Sequence, residues 1–99
     1  MEKNIFLQWA TAKVIRDVRK AKGMPQVHLA DFSTLSRTYI SSLEHGHKGV
    51  SLLVLLKIAK ALEVDLEEIT RLIMEELRQG PTPPPKRQGR PYKRKSAKK

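Results

Sequence analysis

The 99-residue chain contains no cysteine, only five aromatic residues, and no apolar run longer than Leu52 to Leu56. The missing cysteines exclude a disulfide framework and any cysteine-based metal site, and they suit a reducing compartment. A five-residue apolar run is far short of the roughly 20 residues a membrane helix needs. The opening Met-Glu-Lys-Asn lacks the basic start and apolar stretch of a signal peptide, so none is expected. Few aromatics leave little large apolar volume, enough for one small core that dimerisation would help to stabilise. Acid is also missing where it would matter most. Residues 80–99 hold eight Lys and Arg and no Asp or Glu, whereas residues 1–79 hold twelve against ten. The formal charge of +10 therefore belongs mainly to the C-terminal tail, which points to a polyanionic partner, most plausibly nucleic acid. The composition shift divides the chain into a domain, 1–79, and a Pro-rich linker with a basic tail, 80–99.

What is present centres on Gln26 to Gly46, which reads as two short helices joined by a tight turn. The first covers about Gln26 to Ser33 and points Leu29 and Ala30 inward. The second covers about Arg37 to His45, with Ser36 as its N-cap and Ile40 and Leu43 facing the core. Its other face carries Arg37, Thr38, Ser41, Ser42 and His45, a polar stripe without an acid. Such a helix fits the major groove of duplex DNA, where Arg, Thr and Ser reach base edges.

The stretches IRDVRKAKGM (15–24), Gln26, Leu29-Ala30, LSRTYISSLEHG (35–46), Ser51-Leu52 and LLKIAKAL (55–62) resemble the lambda-repressor-like helix-turn-helix of the Cro and XRE family. The resemblance implies an all-α fold: a five-helix lambda-repressor-like DNA-binding domain, here with extended first and last helices and a disordered basic C-terminal tail. It implies a partly buried pair between Arg19 and Glu44 that locks the first helix to the reading helix, and a DNA-backbone contact at Gln26. Four positions depart from the family pattern: Pro25, Phe32, Thr34 and Val50. Pro25 replaces a capping Ser or Thr, so Met24 is expected to cap the second helix with Pro25 at its first position. Thr34 stands where Gly is common, and a β-branched residue there is strained if its φ is positive. Val50 replaces a common Pro.

Around this centre, helices are expected at about Asn4–Lys22, Leu52–Leu62 and Leu66–Gln79, closed by Gly23 and Gly80. Their apolar sets are Ile5, Phe6, Trp9, Val14, Ile15, Val18 and Ala21; Leu52, Leu55, Leu56, Ile58, Ala59 and Leu62; and Leu66, Ile69, Leu72, Ile73 and Leu77. Ser51 is read as one cap, and Asp65 with Glu68 as a capping box. Phe32, where the family is commonly polar, is placed at the core edge, with a partner contact as the alternative. Phe6 and Trp9, in an extension before the family match, are read as packing on another helix of the chain or as a dimer contact. Base reading is assigned to Arg37, Thr38 and Ser42, and backbone contact to Gln26, Tyr39, Ser41 and Lys48. In the tail, Lys86, Arg87, Arg90, Lys93, Arg94 and Lys95 are candidate DNA contacts. Gly89-Arg90-Pro91 resembles half of a minor-groove AT-hook, but a nonspecific electrostatic tether is the favoured reading.

The three histidines and ten acids form no nucleophile–base or metal constellation, so no catalysis, metal or cofactor is expected. The leading function is a sequence-specific transcriptional regulator, a repressor or autoregulator, that binds an inverted-repeat operator on double-stranded DNA as a homodimer in the cytoplasm and nucleoid. A restriction–modification controller protein or an antitoxin is the alternative within DNA binding. From another class, a protein-binding adaptor or a nonspecific architectural protein remains open.

Overall fold

A computed structural model describes residues 4–84. Among these are five helices and no strand: α1 (Ile5–Ala21), α2 (Gln26–Ser33), α3 (Arg37–Glu44), α4 (Leu52–Leu62) and α5 (Leu66–Gln79). The bounds of α2, α4 and α5 are those expected from the sequence. Each end of α1 and the end of α3 fall one residue short, because Asn4, Lys22 and His45 are cap residues. No helix is long and apolar enough to cross a membrane among the described residues. The six candidate tail contacts, Lys86 to Lys95, lie outside the described residues.

α1 packs against α5 and α3, α2 against α3 and α4, and α4 against α5. The space between them is filled by Ile15, Leu29, Ile40, Leu43, Ile58, Leu62 and Ile69, all wholly buried. Such positions lose about 2–5 kcal/mol when cut back to alanine. Ala30 in α2 and Ala59 in α4 are also buried, and their small side chains let these short helices approach closely. The buried pair Ile40 and Leu43 fixes which way α3 faces and leaves its polar stripe outward.

The caps follow the sequence in part. Ser36 Oγ accepts from the Tyr39 N–H at 2.9 Å, and Ser51 Oγ from the Val54 N–H at 3.1 Å. Asn4, not assigned a role in advance, does the same for Leu7 at 3.0 Å. Two expectations are corrected. Pro25, not Met24, is the N-cap of α2, extended at φ −67° and ψ 157° and offering no side-chain bond. A prolyl ring in this conformation starts the helix by its fixed φ alone. Asp65 likewise makes no side-chain cap bond at α5. Its intended partner Glu68 is taken by Arg71, at 3.1 and 2.6 Å, whose guanidinium holds the carboxyl below its ordinary range.

Thr34 ends α2 in the left-handed region, at φ 59°, the strained conformation that the sequence raised as a possibility. Its N–H and that of Leu35 close the helix on Asp31 and Ala30. Glu63 ends α4 in the same region, also at φ 59°, a position the sequence did not flag.

The apolar sets need larger corrections. In α1, Ala10, Thr11 and Ala12 are buried, while Ile5 and Phe6 are exposed. Phe32 is 63 % exposed rather than at the core edge. In α4, Leu52 and Leu56 were expected inside, yet Leu52 is 71 % exposed and Leu56 also lies at the surface beside exposed Leu53. The core is already closed there by Leu55, Ile58, Ala59 and Leu62, and the helix has room for only one buried stripe.

Candidate nucleic-acid interface

The interface is built from the end of α3 backward. Glu44 closes α3 and is 2 % exposed; Arg19 of α1 is 8 % exposed. Arg19 grips the carboxylate with two parallel bonds, Nε to Oε2 at 2.6 Å and Nη2 to Oε1 at 2.9 Å. This fork geometry is the strongest form of such a pair. The remaining Arg19 amine, Nη1, donates to the Met24 carbonyl at 2.8 Å, tying the α1–α2 turn into the same knot.

Two further members of this network were not read from the sequence. Arg16 Nη1 donates to the Glu44 backbone carbonyl at 2.9 Å. The carbonyl sits at the negative end of the α3 dipole, where a cation is favourable. Arg16 and Arg19 are three residues apart and share a helix face, which is the signal that could have shown it. Gln26, expected as a DNA-backbone contact, donates from Nε2 to Glu44 Oε1 at 3.0 Å. One donor hydrogen and the carboxamide oxygen remain, at the N-terminus of α2. The knot therefore joins α1, α2 and α3 through one carboxylate.

With its base held this way, α3 presents Arg37 and Thr38 as exposed residues at its N-terminus, and Ser41 and Ser42 half-buried one turn on. Arg37, Thr38, Tyr39, Ser42 and Lys48 have no side-chain hydrogen bond or ion pair to any described residue. Tyr39 packs its ring against the core. The Ser41 carbonyl accepts from His45 Nδ1 at 2.8 Å, which holds the imidazole back along α3. Lys48 is exposed in the loop after Gly46, which has φ 73° and terminates the helix. The structure thus gathers the three candidate base readers and Tyr39, Ser41 and Lys48 on or beside one helix. The only acid in α3, Glu44, is buried and neutralised by Arg19.

The loop after α3 is braced from the N-terminal part of α1. Gly49 lies close to the Gln8 side chain, and Gly46 is buried against Trp9 and Pro84. Among the described residues no group of three or more His, Asp or Glu side chains is placed to hold a metal ion.

The profile of a family described as helix-turn-helix matches residues 15–69. The chain is 40 % identical over 57 residues to the competence pilus inhibition repressor of Acinetobacter baylyi, a match covering 58 % of this chain and 52 % of that protein. It thus spans about half the length of that relative. It is 36 % identical over 58 residues to control protein C.SmaI of Serratia marcescens, covering 59 % of this chain and 69 % of that one. Among solved structures, the wild-type restriction–modification controller protein C.Esp1396I superimposes with a TM-score of 0.69 and 32 % identity, over 79 % of this chain and 99 % of that chain.

Proposed function

The chain belongs to the helix-turn-helix family, and on that premise we propose that it is a sequence-specific DNA-binding transcriptional regulator, a repressor or autoregulator, that binds an inverted repeat as a homodimer. One observation carries this reading. A buried three-helix knot fixes α3, while Arg37, Thr38 and Ser42 on its outer side have no partner among the described residues. Holding a cation and hydroxyls rigidly but unsatisfied suits a helix that meets a nucleic acid. Arg37 makes a bidentate contact to a guanine edge, Thr38 and Ser42 read neighbouring bases, and Gln26, Tyr39, Ser41 and Lys48 hold the sugar–phosphate backbone.

The homodimer reading rests on α4 and α5. Leu52, Leu53, Leu56 and Met74 are exposed, and Leu52 and Met74 line an apolar cleft of about 390 Å³ together with Leu7, Val50 and Ile73. An exposed apolar patch of this kind marks an association surface. A second copy of the chain is the partner that a palindromic site requires. Within this function, the superposition over 79 % of this chain and 99 % of C.Esp1396I favours a controller of restriction–modification genes over an antitoxin.

Selection from a random duplex library, with the full chain and with a chain ending at Gly80, tests the proposal. An inverted repeat enriched by both supports it. Failure of both to enrich any motif overturns it in favour of an architectural or protein-binding role. Recovery of a stoichiometric foreign protein with a tagged copy would argue instead for the antitoxin or adaptor reading.

A further inference from the structure

The N-terminal part of α1 lies outside the family match at 15–69 and carries Phe6 and Trp9, the latter being the chain's only tryptophan. Their rings meet edge to face, with centroids 5.6 Å apart at 73°. Neither ring is spent on the core: Phe6 is 54 % exposed and Trp9 half-buried. Beside them runs the segment that follows α5. Gly80 and Pro81 line one hollow with Phe6 and Leu77. Three residues on, Pro84 reaches the backbone of Gly46, where an added Cβ would lie 2.9 Å from Pro84 Cγ and 3.0 Å from Trp9 Cδ1. Pro81 and Pro84 are half-buried, whereas Thr82 and Pro83 between them are exposed. Proline segments dock on aromatic surfaces at low entropic cost, because their backbone is already restricted.

Gly46 ends the reading helix, and Lys48 stands two residues beyond it. Pro84, the last described residue, therefore lies at the C-terminal end of α3. The fifteen residues from Pro85 to Lys99 contain eight Lys and Arg and no acid.

We infer that Phe6 and Trp9 form a platform that straps residues 80–84 onto α1 and launches the basic tail beside the end of α3, so that the tail binds DNA phosphates next to the half-site as an extension of the reading surface. This rests on the DNA-binding reading above and adds to it a place and a device. Gly46 has two roles: its positive φ turns the chain, and its missing Cβ admits Pro84 and Trp9. A tail launched there acts on the phosphates flanking the base contacts. It raises affinity without choosing bases. Fifteen residues reach at most about 50 Å, so the added contacts fall within about 15 base pairs of the launching point.

Three forms test this: the full chain, the chain ending at Pro84, and a full-length strap variant with residues 81–84 replaced by Gly-Ser-Gly-Ser. Tryptophan fluorescence, excited selectively over tyrosine, reads the platform directly, since Trp9 is the only tryptophan. Emission should shift to the red and become more quenchable in the strap variant, but stay unchanged in the chain ending at Pro84. Hydroxyl-radical footprints on the selected duplex read the tail. The full chain should protect extra backbone contiguous with the half-site, and the chain ending at Pro84 should lose it. Its log–log salt slope should fall by about 0.9 per lost phosphate contact; three contacts correspond to about 40-fold in affinity over a fourfold rise in salt. The strap variant should keep the slope yet lose the discrete extra protection. Unchanged Trp9 emission in the strap variant, an unchanged footprint in that variant, or an unchanged slope on truncation would each overturn the inference. Failure of the DNA-binding reading itself would look different: the chain ending at Pro84 would show no specific footprint on any duplex.

Discussion

Replacing Glu44 with alanine removes both carboxylate oxygens from the Arg19 fork and leaves a guanidinium that is 8 % exposed. Two charge-assisted bonds at 2.6 and 2.9 Å are lost, and so is the Gln26 bond at 3.0 Å. The Arg19 bond to the Met24 carbonyl and the Arg16 bond to the residue-44 carbonyl involve backbone acceptors and persist. Breaking a buried pair from one side costs about 3–5 kcal/mol, most of it from the uncompensated charge. A domain of this size holds roughly 4–12 kcal/mol in total, so the loss removes a large share of its stability. Urea denaturation followed by circular dichroism should show the midpoint falling with little change in slope. A double variant, Arg19→Met with Glu44→Leu, removes both charges together. It should recover most of the lost stability, because a packed apolar pair avoids the desolvation penalty. A Glu44→Ala cost below about 1 kcal/mol would refute the reasoning, since the pair would then be behaving as a surface salt bridge.

Other expectations are as direct. Thr34→Gly relieves the left-handed strain at φ 59° against the added freedom of the unfolded chain, for a net gain of about 0.5–1 kcal/mol and a Tm rise of roughly 2–8 °C by calorimetry. Gly46→Ala, strained at φ 73° and crowded by Pro84 and Trp9, should lower Tm and alter Trp9 fluorescence together. Leu53→Glu should leave helix content intact while shifting sedimentation toward the monomer and weakening DNA binding; an unchanged association state would remove α4 from the dimer surface. Lys48→Ala should weaken binding to all duplexes alike and lower the salt slope by about 0.9.

The helices were legible because their signals are local. Ser36 and Ser51 cap as read, and Gly23, Gly46 and Gly80 take the positive φ that helix ends favour. The Arg19–Glu44 pair was legible only through family resemblance, because residues 25 apart share no periodicity. Capping-box spacing at Asp65 was misleading: it cannot show that Arg71, three residues beyond Glu68, competes for the same carboxylate. Apolar period misled at Leu52 and Leu56, since an exposed leucine and one facing the core look alike in a sequence. Phe6 and Trp9 were read as packing on another helix or as a dimer contact; Phe6 does share a hollow with Leu77 of α5, but also with Gly80 and Pro81, and Trp9 meets the loop at Gly46 beside Pro84. Contacts of that kind depend on where the chain returns after α5. Gln26 was read as a DNA-backbone contact; its bond to Glu44 went unread because it depends on the α2–α3 crossing and not on its own sequence context.

The central claim is that α3 reads bases, with Arg37 as its principal contact. Parallel selection from a random duplex library with the native chain and with Arg37→Ala tests it most directly. The account predicts an inverted repeat from the native chain. From the variant it predicts the same repeat with preference relaxed at one symmetric position in each half-site, a discrimination loss of about 1–3 kcal/mol there. Identical motifs from both proteins, or a loss of affinity spread evenly over all sequences, would contradict it.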